Sequence, residues 1–289
     1  MPPPQPWQFP LPPPPSTLPD YAAVADAVRQ LVTPQRARRG GLLVNLAWRC
    51  SATFRSTDYR GGCNGARIRF APEAEWETNA GWSADALKLL APVQRRFASD
   101  GLSWADLIVL AGSVAVEVAG GATLVTADFC GGRTDASDGA GSEHLEPKLK
   151  EDVSDTIDAL RETYTLLGLA PHEYVALVGG VRSLGELVRS GFEGNATSNP
   201  DTFDNEFFVN LVDMQWEKTV SSAGKVEYKA RGKELYALPT DLLLRYDPAL
   251  LAIVQEYAVD AQSFSSTFAV AWHKVMTADL FDGPTRRRC

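Results

Sequence analysis

The chain has 289 residues, 45% of them hydrophobic and 22% charged, a balance that belongs to a folded protein with a sizeable buried core. Its formal charge of -8 and pI near 5.0 present no basic face to nucleic acid or to anionic lipid, whose phosphates need cations. No apolar run approaches the roughly 20 residues of a membrane span, so no membrane insertion is expected.

The opening MPPPQPWQFPLPPPPSTLP is too rich in proline for helix or sheet and reads as an extended tail over residues 1–19. It is either disordered or a docking arm, with Trp7 and Phe9 as candidate anchors. From Asp20 the periodicity turns helical, with Tyr21, Val24, Ala25, Val28 and Leu31 at intervals of three and four. The same period recurs in GLLVNLAWRCSATF, SADALKLLAPVQRRF, WADLIVLAGSVAVEVAG, VSDTIDALRETYTLLGL, PHEYVALVGGVRSLGELVRS, DNEFFVNLVDMQW, DPALLAIVQEYAV and QSFSSTFAVAWHKVM. Ser83, Ser103 and Pro171 read as helix starts, and Gly120, Gly121 and Gly168 as stops. Only KVEYKARGKELY, Lys225 to Tyr236, alternates as a short hairpin would. The expected fold is mainly α, about ten helices with a minor β-hairpin. It forms a single domain over residues 20–282, followed by a basic tail over 283–289.

The four cysteines, Cys50, Cys63, Cys130 and Cys289, form no CxxC pair, and with three histidines no zinc spacing is present, so no metal site is expected. Free thiols in a reducing compartment follow as the expectation, with Cys50 a small buried hydrophobe. The N-terminus lacks the charged and then hydrophobic stretch of a secretory leader. The expected location is cytoplasmic, or an organelle after import, and not secreted.

Four blocks in order carry a resemblance: LVNLAWRCSATFRSTDYRGGCNGARIRFAPE; GLSWADLIVLAGSVAVEVAGG with GGRTD; EYVALVGGVRSLGE; and NEFFVNLVDMQW with LPTDLLLRYDP. Together they resemble the class I haem peroxidases, that is, the catalase-peroxidases, ascorbate peroxidase and cytochrome c peroxidase. The nearest likeness is to the haem-free C-terminal half of the catalase-peroxidases, although LPTDLLLRYDPALLAIVQEYAVD looks more like the other two. The resemblance implies a haem-peroxidase-like helical fold.

It also implies positions for the chemistry. Where the family places its distal histidine, after a tryptophan, this chain has Arg49 after Trp48. A guanidinium has no acceptor lone pair and stays protonated below a pH of about 12, so it cannot take the proton from peroxide. Asn45 stands where the family has an arginine to stabilise departing hydroxide, and a neutral amide does this less well. On the proximal side, the glycines of GGVRSLG put Arg182 at the iron-ligand position, and haem proteins ligate iron through His, Cys, Met or Tyr instead. The aspartate that holds the proximal histidine corresponds to Asp241, which predicts an Arg182–Asp241 ion pair across the former haem cavity. Ala196, in GFEGNAT, occupies the place of the redox-active tryptophan of cytochrome c peroxidase.

His144, His172 and His273 read as surface or packing residues. RGGCNGARIRF lacks the GK[ST] ending of a phosphate loop, and the closing TRRRC reads as a solvated tail. The sequence therefore points to a pseudoenzyme with no catalytic residues and no cofactor. Its expected role is that of a scaffold module that stabilises a protein partner or a larger assembly. The competing expectation is a haem b-dependent peroxidase that reduces hydrogen peroxide in the oxidative-stress response with atypical ligands. A third is a small-molecule or haem sensor with an open pocket and no turnover.

Overall fold

The computed structural model describes residues 11–13, 15–121, 124, 129–146, 157–185 and 190–280. Among these are ten α-helices and one three-stranded antiparallel sheet, so the fold is mainly α with a minor β element. Trp7, Phe9 and the basic tail lie outside the described residues.

The helices follow the apolar periodicity closely. α1 (Tyr21–Val32) is capped by Asp20, whose carboxylate accepts from the Ala22 and Ala23 amides, and it buries Val24, Ala25, Val28 and Val32. α2 (Arg36–Ser51) starts earlier than its apolar run suggests. α3 (Ser83–Phe97) is not capped by Ser83, which is its first helical residue. The residue before it, Trp82, makes no side-chain cap, so that expectation is corrected. Ser103 does cap α4 (Trp104–Val118), accepting from the Asp106 amide at 3.0 Å.

α4 is the axis of the fold, buried on every side from Ala105 to Val116. Such a helix needs a neighbour that comes close, and Gly112 provides the room: a Cβ there would lie 2.3 Å from the Ala47 Cβ on α2.

α5 (Ile157–Leu166) ends ahead of Gly168, which adopts φ +72°, a left-handed conformation that favours glycine. The earlier part of that predicted helix lies outside the described residues. α6 (Pro171–Ser183) opens on Pro171, as the sequence predicts, but stops at Ser183 rather than running to Ser190. Gly179 and Gly180 on α6 lie against the rings of Phe208 and Phe268, members of an aromatic cluster with Phe203, Tyr257, Phe264 and Trp272. Each fully buried ring of this kind contributes about 1.5–3 kcal/mol.

α7 (Glu206–Asp213) ends before Met214, and the chain then enters β1 (Trp216–Val220), a strand that the sequence reading assigned partly to a helix. β1 pairs with β2 (Val226–Ala230), which pairs with β3 (Tyr236–Ala237), so the predicted hairpin is the second half of a three-stranded sheet. α8 (Pro239–Tyr246), α9 (Pro248–Val259) and α10 (Ala261–Thr277) complete the chain, and Asp247 caps α9.

The thiol expectation is overturned. Cys50, at the end of α2, is disulfide-bonded to Cys63, and Cys130 is disulfide-bonded as well. Both Cys50 and Cys63 are fully buried, so the small hydrophobe read at Cys50 is half of a cross-link. Disulfides persist in oxidising surroundings, so cysteine usage no longer argues for a reducing compartment. Among the described residues no helix is long and apolar enough to cross a membrane. The end of the proline-rich segment meets the domain: Pro19 is buried, and a Cβ on Gly101 would meet the Thr17 carbonyl oxygen at 2.4 Å.

Candidate functional site

Of the residues singled out by the resemblance, Asn45, Trp48, Arg49, Arg182 and Asp241 line one cavity of about 90 Å³. α2 supplies Asn45, Trp48 and Arg49, which share a face because residues three and four apart stack on a helix. Asn45 is anchored by its own helix, its Nδ2 donating to the Gly41 carbonyl at 2.9 Å. α6 supplies Arg182 from its last turn, and α8 supplies Asp241 from its first.

Arg182 Nε donates to Asp241 Oδ1 at 2.9 Å, forming the ion pair predicted from the sequence. Asp241 is fully buried, and its other oxygen accepts from the Leu238 amide at 2.9 Å, capping α8. A buried carboxylate needs such partners, since leaving it without them costs several kcal/mol, about 3–5 when one member of a pair is removed. One aspartate thus fixes both a helix terminus and the Arg182 guanidinium.

Ala196 is buried but does not line the cavity, and its carbonyl accepts from Asn210 Nδ2 at 3.1 Å. It is a packing position. His144, His172 and His273 are exposed, and none lines the cavity.

Several lining residues escaped the sequence reading. α5 contributes Leu160 and Thr163 to one wall, and α6 contributes Tyr174 and Val178. Tyr174, Val178 and Arg182 are spaced by four, so the helical period of EYVALVGGVRS could have placed Tyr174 on the face of Arg182. Among the described residues, Tyr174 is the one lining side chain of a type that ligates haem iron.

The cavity does not fit a haem. Pockets for drug-sized ligands span about 300–1,000 Å³, and a porphyrin is at least as large as such ligands. A volume of about 90 Å³ admits it only if α2, α5, α6 and α8 move apart. Arg182, at the ligand position, has no lone pair to offer and is held by Asp241.

The GGRTD motif resolves into structure. Arg133 is fully buried between Asp106 and Asp279, with Nη1 3.1 Å from Asp106 Oδ1 and Nε 3.4 Å from Asp279 Oδ1, and it also donates to the Cys130 and Met276 carbonyls. Asp135 accepts from the Trp104 and Ala105 amides and so caps α4 together with Ser103. The Tyr21 hydroxyl donates to Asp106 Oδ2 at 2.6 Å, and burial first, then the Asp106 charge, raises its pKa, so it stays a donor. Burial likewise raises the Asp279 carboxyl, against the pull of Arg133. Among the described residues no group of three or more His, Cys, Asp or Glu side chains could hold a metal ion.

A family model described as peroxidase matches residues 23–260. The chain is 36% identical to catalase-peroxidase 2 of Legionella pneumophila over 96% of its own length and 40% of that protein's. It is 38% identical to a catalase-peroxidase of Rhodococcus erythropolis, covering 98% of this chain and 41% of the relative. A catalase-peroxidase of the fungus Pyrenophora tritici-repentis is 36% identical, with 96% and 39% covered. The chain therefore spans about two fifths of the length of the curated relatives it matches. That proportion is in keeping with the likeness to one half of a catalase-peroxidase.

Proposed function

The chain belongs to the peroxidase family, and we propose that it is a haem-free member, a pseudoperoxidase that acts as a structural module stabilising a protein partner or larger assembly. The observation that carries this reading is the Arg182–Asp241 pair, 2.9 Å apart beside a cavity of about 90 Å³. A guanidinium held by a buried carboxylate is a stable substitute for a ligated iron, but it has no redox chemistry of its own. On the opposite wall Arg49 cannot shuttle the peroxide proton. The partner is a protein, because the charge of -8 disfavours nucleic acid.

Tyr174 favours a second reading, in which haem enters a widened cavity and is ligated by a phenolate. Such a protein would be a haem b-dependent peroxidase with an atypical ligand. Peroxide-dependent oxidation of a phenolic reductant, measured on protein expressed with excess haem, separates the two. The structural module turns over no faster than free haemin at the same concentration. Turnover above that level, lost in Tyr174→Phe, overturns the haem-free reading.

A further inference from the structure

We propose that residues 136–145 form a pH-sensitive latch, which a protonated Glu73 side chain holds shut against residues 65–75 and which opens more readily once that proton is lost. This goes beyond the haem-free reading and does not rest on it, because no residue of the latch lines the cavity. The stretch contains no helix or strand and is held from outside. The Ala136 amide donates to the Gly65 carbonyl at 2.8 Å, Arg69 Nη2 to the Ala136 carbonyl at 3.0 Å and Arg67 Nε to the Ala140 carbonyl at 2.8 Å. Gly139 presses so closely on the Ala71 carbonyl that a Cβ would not fit. Ser142 is fully buried, and its hydroxyl donates to Glu73 Oε2 at 2.9 Å. Among the described residues this is the one hydrogen bond between a side chain of the stretch and a side chain outside it. A compact loop with so few ties opens by itself more readily than the core unfolds.

Glu73 opens the 3₁₀ turn Glu73–Glu75 and is 3% exposed, and its backbone carbonyl accepts from Asn79 Nδ2 at 2.8 Å, so the side chain cannot swing out to water while the loop is closed. Its carboxyl is met by a hydroxyl and not by a guanidinium. Arg67 attracts it but donates its hydrogen bonds to the Ala140 and Asn64 carbonyls. From the loop, Asp138 and Glu143 act on Arg67 as well, and Arg69 faces Asp135. Burial outweighs the pulls of Ser142 and Arg67 and raises the carboxyl to about 7. The closed loop therefore keeps a proton that the open loop, with Glu73 in water, releases at the ordinary value of 4.5. Opening becomes easier as pH rises from about 4.5 to about 7 and levels off above, where both states are ionised. Below that range the loop is latched.

The test is amide hydrogen exchange of the full chain, with protection factors corrected for the intrinsic pH dependence of exchange and read for residues 136–145, with α4 as the reference for global unfolding. The expected result is loop protection below that of α4 at every pH, falling by roughly fiftyfold between pH 5 and pH 8, with most of the fall below pH 7. Glu73→Gln, which cannot ionise, should keep loop protection flat across that range. Ser142→Ala should lower it about fivefold at every pH, the loss of one neutral hydrogen bond, and leave the slope in place. Melting curves check that both variants are folded. Loop protection equal to that of α4, or constant while α4 loses its own, means that Glu73 ionises only on global unfolding and overturns the proposal. A slope that persists in folded Glu73→Gln overturns it as well. If Glu73→Gln does not fold, the comparison of the loop with α4 in the unaltered chain decides alone.

Discussion

Arg133 and Arg182 both hold carboxylates across helices, yet their surroundings differ. Arg133, Asp106 and Asp279 are sealed in the core, and Arg133 also reaches the Cys130 and Met276 carbonyls, tying the GGRTD loop to α4 and to the end of α10. Arg182 borders a cavity, and its partner Asp241 keeps a second hydrogen bond from the Leu238 amide. The first cluster holds the fold together whatever sits in the cavity. The second lines a cavity at the positions the resemblance assigns to the family's iron ligand and its aspartate, so the same ion-pair chemistry is sealed in the core in one region and borders open space in the other.

The comparison breaks most easily at Arg133. Arg133→Met removes the guanidinium shared by two fully buried carboxylates, which keep only hydrogen-bond donors from Tyr21, Gly132, the residue-133 amide and Asn64, and should lower stability by about 3–5 kcal/mol, whereas Arg182→Met removes the guanidinium from one carboxylate beside a cavity that admits water and should cost about 1–3. Urea unfolding of both variants checks this, and equal losses would erase the distinction. Next in size is the Cys50–Cys63 cross-link, which closes a loop with a sequence separation of 13 beside Arg49. Removing it as Cys50→Ala with Cys63→Ala should cost about 3 kcal/mol. An unchanged unfolding midpoint would show that the bond does not form in solution.

A third buried charge sharpens the contrast, because its hydrogen-bonding side-chain partner is a hydroxyl and not a guanidinium. Glu73 accepts from Ser142 Oγ at 2.9 Å, and burial lifts its carboxyl to about 7, against smaller opposing pulls from Ser142 and Arg67. With the folded pKa above the unfolded value of 4.5, the folded chain keeps a proton that the unfolded chain releases. Stability from protonated Glu73 is therefore full below about pH 4.5 and is lost as pH rises through about 7. Glu73→Gln, which mimics the neutral form, should remove this slope and exceed the wild type by about 2–3 kcal/mol at pH 8, with little difference near pH 4.5. Parallel pH profiles of urea midpoints would contradict it.

Much of this architecture is legible in the sequence because helices advertise themselves through apolar period. α3 and α4 fall where SADALKLL and WADLIVL place them. β1 is hard to read because DNEFFVNLVDMQW carries the helical period as far as Trp216 and the polar Glu217, Lys218 and Thr219 that follow give little alternation, so only pairing with β2 makes the segment a strand. The Cys50–Cys63 bond was illegible because cysteine spacing alone does not say which side chains a fold brings together. At the cavity, the resemblance located Asn45, Trp48, Arg49, Arg182 and Asp241, since each sits in a motif with an assigned role. Thr163, Tyr174 and Val178 come from surfaces whose residues look like ordinary helix packing until the cavity is seen. Ala196, which by the resemblance stands in the place of a redox-active tryptophan, is buried and lies outside the cavity lining.

The most direct test is an absorption spectrum of the full chain expressed with excess haem, followed by haemin titration and comparison with Tyr174→Phe. A protein whose proximal position is held by the Arg182–Asp241 pair gives no haem band after purification, and only weak, unsaturable uptake that the variant does not change. A stoichiometric band that shifts on adding peroxide would contradict that account and show that iron has found a ligand in this cavity.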